Sequence, residues 1–311
     1  MKYAKRIWLI LNIICVIAMV GFLVLSKNFL LEQANKHIIG ICYSDFSDEY
    51  QRVLNDSIYP IISEKRDILH YKNAARDQKT QNVQMTELVD AGCELIFVVP
   101  VDAGVEEGIK YARERGVYVV IIDQMLREEN LANMRVVSDN YSSGRDLAKY
   151  LTANKSKANI LLICRLNDES ANKSAEGFED VITNLESKDF RIVGKIYTDG
   201  TRPDLKNRLN IYKEAGVDTV FCVSDSIAKW SKDELDNADF VSIGGSPDGK
   251  QMVSGRELFA TVNQFPSMMG DEAVRGAYNI LNGKVKEDTV IVPSKIITIN
   301  TVNSHIIDKW E

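Results

Sequence analysis

Histidine and cysteine, two of the side chains that most often hold zinc, are scarce in this sequence and do not cluster. The chain has three histidines and five cysteines, and no two cysteines form a CxxC pair. Scattered residues of this kind do not match the ligand spacing of a zinc site. The sequence therefore predicts neither a metal site nor a bound cofactor.

The cysteines also provide no disulfide framework, although an exported protein would be expected to use disulfides. The total is odd and includes Cys15 in an apolar N-terminal run. The other four lie within or beside short apolar runs, where a free cysteine behaves as a small hydrophobic side chain. These four are Cys42, Cys93, Cys164 and Cys222. We therefore expect buried free thiols.

An excess of positive charge is absent as well. Lysine and arginine total 38, against 44 aspartate and glutamate residues, which gives a formal net charge of -6. A protein that binds DNA or RNA usually carries a basic face, and the basic residues here occur only in short runs of mixed charge. The sequence therefore argues against a nucleic-acid partner.

Common catalytic signatures are missing. No GxGxxG follows a strand, and GxxxxGK[ST], HExxH and GxSxG do not occur, which removes the usual nucleotide, zinc-protease and hydrolase motifs. Asp45 and Asp48 form a pair of carboxylates, but no partner base accompanies them. We predict a protein that is not an enzyme.

A long apolar run does occur, at Ile7–Leu25, and Asn12 is its one polar side chain. At 1.5 Å per residue these 19 residues extend about 28 Å, which matches the hydrocarbon thickness of a bilayer. Basic residues precede the run, so the positive-inside rule places the N-terminus in the cytoplasm. These are Lys2, Lys5 and Arg6. We predict a single-pass membrane protein whose remaining residues lie outside the cell membrane.

A cleaved signal peptide is the alternative interpretation of the same run. Such a peptide usually has an apolar core of 7 to 15 residues followed by small residues at the cleavage site. Here the run is longer, Ala34 is the one small-residue candidate, and Glu32 disrupts the pattern. A lipoprotein signal would need small residues before Cys15, which follows Asn-Ile-Ile instead. An uncleaved anchor is therefore favoured.

After the anchor, short apolar strands alternate with amphipathic helices. Continuous Val/Ile runs are typical of strands covered on both faces, and this alternation indicates βαβ units in parallel sheets. Predicted strands are 38–43, 67–71, 94–99, 117–122, 160–164, 191–197, 218–223 and 239–243, and the predicted helices of the first half are 49–65, 78–91 and 104–115. The polar stretch 136–146 is interpreted as a crossover between two halves. Ligands of such folds bind beyond the carboxyl ends of the strands.

Several landmarks occur in an order that resembles a known family. They are IGICYSDFSDEY (39–50), VVP-V-D (98–102), VYVVIID (117–123), VVSDNYSSG (136–144), AEGFEDVI (175–182), VFCVSDSIA (220–228), GGSPDG (244–249) and ATVNQFP (260–266). Together they resemble the type I periplasmic sugar-binding proteins, the ribose- and galactose-binding group, over essentially all of 37–300.

The resemblance implies an α/β fold with two doubly wound parallel-sheet lobes joined by a three-segment hinge. The hinge segments are expected near Asp139, Gln264 and Ile297. Residues 1–36 form the cytoplasmic stub, anchor and linker. The N-terminal lobe is expected to contain 37–139 and 265–296, and the C-terminal lobe 140–264 and 297–311. Ligand would bridge the lobes and stabilise the closed form.

The resemblance also implies a set of ligand-binding residues. They are Ser44, Asp48, Tyr50, Gln51, Asp123, Gln124, Asn172, Ser174, Ser224 and Gln264. Asp123 matches an aspartate that accepts hydrogen bonds from sugar hydroxyls, and Gln264 matches a hinge glutamine. We expect these two residues to form the polar centre of the site.

This sequence departs from the family pattern at three places. Gln124 replaces an arginine, the segment ANKSAEGF contains no arginine, and Gly244 replaces an aspartate. Fewer charged groups would therefore meet the ligand, so three alternatives are open: a different sugar, a ligand that is not a sugar, or only weak binding.

The function implied is capture of a small polar ligand, in first place a sugar, for the permease of an ABC-type importer. The alternative is a ligand sensor that presents its open or closed form to a histidine kinase or chemoreceptor in the same membrane. A cytoplasmic stub of about six residues is too short to signal alone, so the sensor interpretation requires such a partner.

Overall fold

The N-terminal run is only partly covered by the computed structural model, which describes residues 17–22, 36–124, 128, 130–284 and 288–311. The helix α1 (17–22) lies in this run. Within the ranges just given, no helix has the length and apolar character needed to cross a bilayer. Most of the predicted span Ile7–Leu25, with Cys15, and the cleavage candidate Ala34 lie outside the described residues, so the anchor stays a prediction.

Strands and helices alternate along the rest of the chain. The first part contains β1 (Ile38–Tyr43), α2 (Glu49–Glu64), β2 (Ile68–Asn73), α3 (Gln78–Asp90), β3 (Leu95–Val98), α4 (Glu106–Glu114), β4 (Tyr118–Ile122) and β5 (Met134–Ser138). The middle part contains α5 (Asn140–Asn154), β6 (Ala158–Arg165), α6 (Glu169–Thr183), β7 (Phe190–Thr198), α7 (Arg202–Leu209), β8 (Thr219–Cys222), α8 (Asp225–Lys232), β9 (Asp239–Gly244), α9 (Pro247–Ser254) and β10 (Ala260–Asn263). The last part contains α10 (Pro266–Leu281), β11 (Asp288–Val292) and β12 (Lys295–Thr298).

These strands form two six-stranded sheets of the same design. The first has the order β11-β5-β4-β3-β1-β2 and the second β12-β10-β9-β8-β6-β7. Every pair is parallel except β10 with β12. In each sheet the strand order reverses beside the first strand, which places a binding crevice at the carboxyl ends there. The predicted two-lobe α/β architecture is confirmed.

The chain crosses between the two sheets at three places. It crosses after β5, after β10 and after β11. The third crossing lies between Val292 and Lys295, so Ile297 is already inside β12 rather than at the crossing where the sequence analysis placed it. Pro293 explains the position, because it has no backbone N–H to continue the ladder of β11.

The polar stretch 136–146 is the first of these crossings, as the sequence predicts, and it is not a loop. It contains the end of β5 and the first turns of α5, and Asp139 alone separates them. The Asp139 carboxylate accepts a hydrogen bond from the backbone N–H of Ser142 at 3.0 Å, which caps the helix. The Ser and Asn residues that follow Asp139 therefore lie at the start of a helix, because such side chains favour helix N-termini as well as turns.

Each lobe buries its own apolar core, and the cysteines belong to these cores. The four described cysteines are free and buried, which confirms the expectation for them. Burial raises the pKa of Cys42 to about 12 and the pKa of Cys164 to about 11. These thiols are therefore protonated and act as packing groups.

Candidate functional site

A cavity of about 710 Å³ lies between the lobes, at the carboxyl ends of strands from both sheets. Eight residues that the sequence analysis selected line this cavity. They are Ser44, Asp48, Tyr50, Gln51, Asp123, Gln124, Ser224 and Gln264. The fold therefore brings together side chains that are far apart in the sequence and belong to both lobes.

Asn172 and Ser174 do not line the cavity. The Asn172 amide is bonded to the backbone of Arg165, from which it accepts at 2.9 Å and to which it donates at 2.7 Å. Ser174 is fully buried and donates to the carbonyl of Ala171 at 2.5 Å. A Cβ on Gly144 would lie 1.7 Å from the carbonyl oxygen of Ser174, so α5 and α6 are in backbone contact here. Ser174 is thus part of a helix–helix contact.

Asp123 follows β4 directly and lines the cavity. Its φ of 75° is in the left-handed region, which turns the chain sharply at the strand end. The Tyr50 hydroxyl donates to the Asp123 carboxylate at 3.1 Å. Burial, and secondly the carboxylate of Asp168, raise the pKa of Asp123 to about 7. Asp123 therefore has free acceptor capacity in a place where its charge is poorly compensated.

A chain of hydrogen bonds connects Asp123 to the hinge. The Gln264 amide donates to Asn140 at 2.8 Å. The Asn140 amide donates to the Ser170 hydroxyl at 3.0 Å, and that hydroxyl donates to the backbone carbonyl of Asp123 at 3.0 Å. Because Ser170 belongs to α6 of the second lobe, this chain joins both lobes beside the cavity. The sequence analysis did not select Asn140, which directly follows the capping Asp139, or Ser170, which lies two residues after the capping Asp168.

Several other selected residues are already satisfied by neighbours. The Gln51 amide donates to the Ser44 hydroxyl at 2.6 Å and accepts from the backbone N–H of Asp45 at 3.1 Å. The Ser224 hydroxyl caps α8 by accepting from the backbone N–H of Ile227 at 3.3 Å. The Asp48 carboxylate accepts from the backbone N–H of Tyr50 at the start of α2. These residues line the cavity, and their polar groups already form hydrogen bonds within the protein.

Asp225 is a second buried carboxylate of the cavity wall, and the sequence analysis did not select it. It accepts hydrogen bonds from Ser242, from Thr261 at 2.6 Å, and from the backbone N–H and the hydroxyl of Ser246 at 2.8 and 2.7 Å. Burial raises the pKa of Asp225, and these four donors oppose that effect. Its acceptor sites are therefore filled from within its own lobe.

Asp225 also explains why glycine occupies position 244. A Cβ on Gly244 would lie 2.6 Å from a carboxylate oxygen of Asp225, and its φ of 146° disfavours any other residue. An aspartate at this position, as in the family pattern, would bring two carboxylates into contact. The departure at Gly244 is thus coupled to the packing of Asp225.

The described part of the cavity wall is acidic. Its carboxylates are Asp45, Asp48, Glu49, Asp102, Asp123, Asp168, Asp199, Asp225 and Asp248, and its guanidinium groups are Arg76 and Arg165. Arg76 pairs with Asp45 at 2.6 Å. Oxygen acceptors thus outnumber donors, which suits a ligand that presents many hydroxyl or N–H groups. In the described ranges, no three His, Cys, Asp or Glu side chains are grouped so that they could hold a metal ion.

Comparisons with known proteins agree with this geometry. Residues 39–285 match the family model described as a periplasmic binding protein domain. The ribose import binding protein of Bacillus subtilis (strain 168) is 25% identical over 237 residues, which is 73% of this chain and 75% of that protein.

Solved structures share the fold. An ABC transporter solute-binding protein from Bacillus halodurans C-125, with bound myo-inositol, has a TM-score of 0.77 and 20% identity, and the match covers 86% of this chain and 96% of that one. The arabinose-binding protein of Shewanella sp. ANA-3 has a TM-score of 0.78 and 20% identity, over 86% of this chain and 93% of that one. At these identities the likeness establishes the fold.

Proposed function

Because this chain belongs to the type I periplasmic sugar-binding family, we propose that it captures a sugar or a similar polyol between its lobes, outside the cytoplasm. Membership of a family of binding proteins confirms that the chain is not an enzyme. The observation that carries the proposal is the Asp123 carboxylate in the inter-lobe cavity, with acceptor capacity that no described donor except Tyr50 fills.

The hydroxyl groups of a polyol would supply the missing donors. An ionised carboxylate accepts several hydrogen bonds, and bonds to a charged acceptor are stronger than bonds between neutral groups. The second lobe reaches the backbone of the same residue through Ser170, so ligand bound at Asp123 would lie where the two lobes meet. Ligand would then favour the closed form by its higher affinity for it.

We propose that the captured solute is delivered to an ABC importer, and that Ile7–Leu25 anchors the protein in the cell membrane. The length of that run supports a second candidate, a sensor that presents its ligand state to a membrane histidine kinase or chemoreceptor. Both functions use the same cavity. They differ in the partner protein that recognises the open or closed form of the lobes.

The test of capture is a thermal-shift screen of the full chain in a mild detergent. The panel contains pentoses, hexoses, cyclitols, open-chain polyols and furanose compounds. A ligand at 100 times its dissociation constant raises the free energy of unfolding by about 2.7 kcal/mol, which is a clear rise in Tm. Capture of a polyol is rejected if no member of the panel raises the Tm.

Uptake of the radiolabelled hit separates the two candidates. If the protein serves an importer, cells that lack it lose uptake at low ligand concentration. If it serves a sensor, these cells keep uptake and lose the change in transcription that the ligand causes in the parent strain.

A further inference from the structure

Residues 305–311 follow β12 and a short 3₁₀ turn, and they are fixed to the second lobe by polar contacts. The Glu311 carboxylate accepts from His305 Nδ1 at 2.6 Å, from the backbone N–H of Ile306 at 2.9 Å and from Asn263 Nδ2 at 3.1 Å. Asn263 is fully buried at the end of β10. The segment therefore has a defined position beside the hinge.

A buried lysine holds the same segment. Lys250 in α9 is fully buried, and its ammonium group donates to the backbone carbonyl of Lys309. Burial lowers the pKa of Lys250, and the Glu311 carboxylate opposes that effect. A buried ammonium without an acceptor would be strongly destabilising, so this contact fixes the backbone directly before Trp310.

Trp310 extends from this segment to the first lobe. Its ring packs edge-to-face against Tyr50, with ring centroids 5.3 Å apart and an interplanar angle of 83°. It belongs to the hydrophobic cluster of the first lobe and also lines the cavity. Tyr50 in turn donates to Asp123, so Tyr50 connects Trp310 with Asp123.

The part of Trp310 that faces the cavity is apolar. Its Nε1 atom is buried and has no hydrogen-bond partner among the described residues, so the indole presents carbon atoms to the cavity. The other aromatic residue of the described wall, Tyr50, is 9% exposed. Trp310 is thus the wall's main candidate for contact with the apolar face of a ring.

We propose that Trp310 is a ligand-contacting residue that makes the cavity prefer cyclic polyols to open-chain ones. The hydroxyl groups of the ligand would meet Asp123 while the C–H face of its ring packs on the indole. This inference rests on the proposed function. It adds a residue from outside the region 39–285 that the family model matches.

The test compares ring and open-chain partners in the full chain: D-glucose with sorbitol, and D-ribose with ribitol. Calorimetry gives the affinity of the parent protein, Trp310→Ala and Trp310→Phe for each. We expect Trp310→Ala to weaken ring binding roughly tenfold and to leave open-chain binding within about twofold, because aromatic contact is lost for the ring alone. Trp310→Phe keeps an aromatic face and should retain most of the ring preference.

Trp230→Phe is the matched control. Trp230 lies in α8 beside a separate surface depression, so its replacement should change neither affinity. A double variant, Trp8→Phe with Trp230→Phe, leaves Trp310 as the one tryptophan of three. In that variant the ring sugar should shift the emission of Trp310, which tests the contact even if Trp310→Ala fails to fold.

Each remaining outcome contradicts the inference. Equal loss for ring and open-chain partners would make Trp310 a purely structural residue. Tighter binding by Trp310→Ala would mean that the indole occupies the place of the ligand. An unchanged emission spectrum on ring binding would remove the contact. If the parent protein binds no polyol at all, the proposed function fails first, and this inference fails with it.

Discussion

The two lobes face the same cavity with walls of opposite character. In the first lobe, Asp123 receives one side-chain hydrogen bond, from Tyr50. In the second lobe, Asp225 receives four, from Ser242, Thr261 and Ser246. Burial raises the pKa of both carboxylates. One carboxylate thus has acceptor sites left for a ligand, whereas the other holds its own lobe together.

This difference indicates a division of labour. Recognition would be concentrated at Asp123 and Tyr50 of the first lobe and at Trp310, which the second lobe holds against Tyr50. The rest of the second lobe's wall would be a preformed surface, because Ser224 and Asp225 are already bonded within that lobe. A raised pKa therefore does not by itself imply a role in binding. The number of filled acceptor sites separates the two carboxylates.

The largest expected effect is on stability, at Asp225. Asp225→Ala removes the acceptor of four donors and should lower the free energy of unfolding by about 3 kcal/mol, because buried hydroxyl groups lose their partners. Urea denaturation measures this loss. Asp225→Asn keeps the shape and should cost about half as much. Equal stability of parent and Asp225→Ala would contradict the structural role.

Gly244→Asp should also destabilise the second lobe, by about 2–3 kcal/mol. The new side chain would meet Asp225 at a backbone conformation that favours glycine. Restoring the family aspartate would therefore not restore a ligand contact. Gly244→Ala, measured by the same urea titration, separates backbone strain from carboxylate repulsion. A stable Gly244→Asp protein with tighter ligand binding would show that the second lobe takes part in recognition.

Asp123→Asn should reverse this pattern, with little change in stability and a large change in affinity. A neutral amide loses the charge-assisted bonds to ligand hydroxyl groups, which should weaken binding on the order of 100-fold. Calorimetry with the best ligand from the screen measures the affinity. If Asp123→Asn binds the ligand as tightly as the parent protein does, the Asp123 carboxylate does not contribute to recognition.

The pH dependence of ligand affinity should follow the ionisation of Asp123. Its pKa is about 7, so the ionised fraction rises roughly tenfold between pH 6 and pH 8, and affinity should rise with it. Stability moves in the other direction. Because the pKa is raised on folding from 3.8, the protonated acid favours the native state below about pH 4, and this contribution is lost as the pH rises through 7.

Asp123→Asn is the matched protein for both measurements. Tyr50, Asp48 and Asp168 face Asp123 and remain in the variant, so the difference between the two proteins isolates one carboxyl group. Calorimetry at pH 6, 7 and 8 gives the affinities, and thermal unfolding across pH 4 to 8 gives the stabilities. Parallel pH profiles would assign the titration to another group.

The smallest effect is expected at Ser174. Ser174→Ala should change affinity by less than about twofold, because its hydroxyl bonds to Ala171 within α6, and should lower stability by about 1 kcal/mol. Calorimetry and urea denaturation on the same preparation measure both. A large loss of ligand affinity would show that Ser174 contacts the ligand, as the resemblance to the family implies.

The sequence predicted the long, continuous apolar strands well. β1 was placed with its observed limits, and β6 to β9 were located to within two residues at each end. β5, β10, β11 and β12 were not predicted as strands, and each lies beside one of the crossings, where polar residues flank it. Their strand conformation depends on neighbours that are distant in sequence.

The residues of the cavity likewise divide into those that the local sequence predicts and those that depend on distant neighbours. Residues directly after strands, such as Ser44, Asp123 and Ser224, follow from a rule about sheet edges, and all three line the cavity. Asn172 and Ser174 were transferred by position alone. Asn172 is bonded to the backbone of Arg165 at the end of β6, and Ser174 lies in the close contact between α5 and α6. The sequence of residues 305–311 has no feature that predicts the packing of Trp310 on Tyr50, because these two residues are far apart in the chain.

The sheet of the first lobe is built from two separate parts of the chain, and this affects the order in which the lobe can fold. Its sheet contains β1 to β5 and then β11, and α10 packs on α2, β4 and β5. All of the second lobe up to β10 is synthesised before these last pieces. Until they arrive, β5 is an unprotected edge strand, which can pair with another chain. The sheet of the first lobe can therefore be completed only after the strands of the second lobe up to β10 have been synthesised.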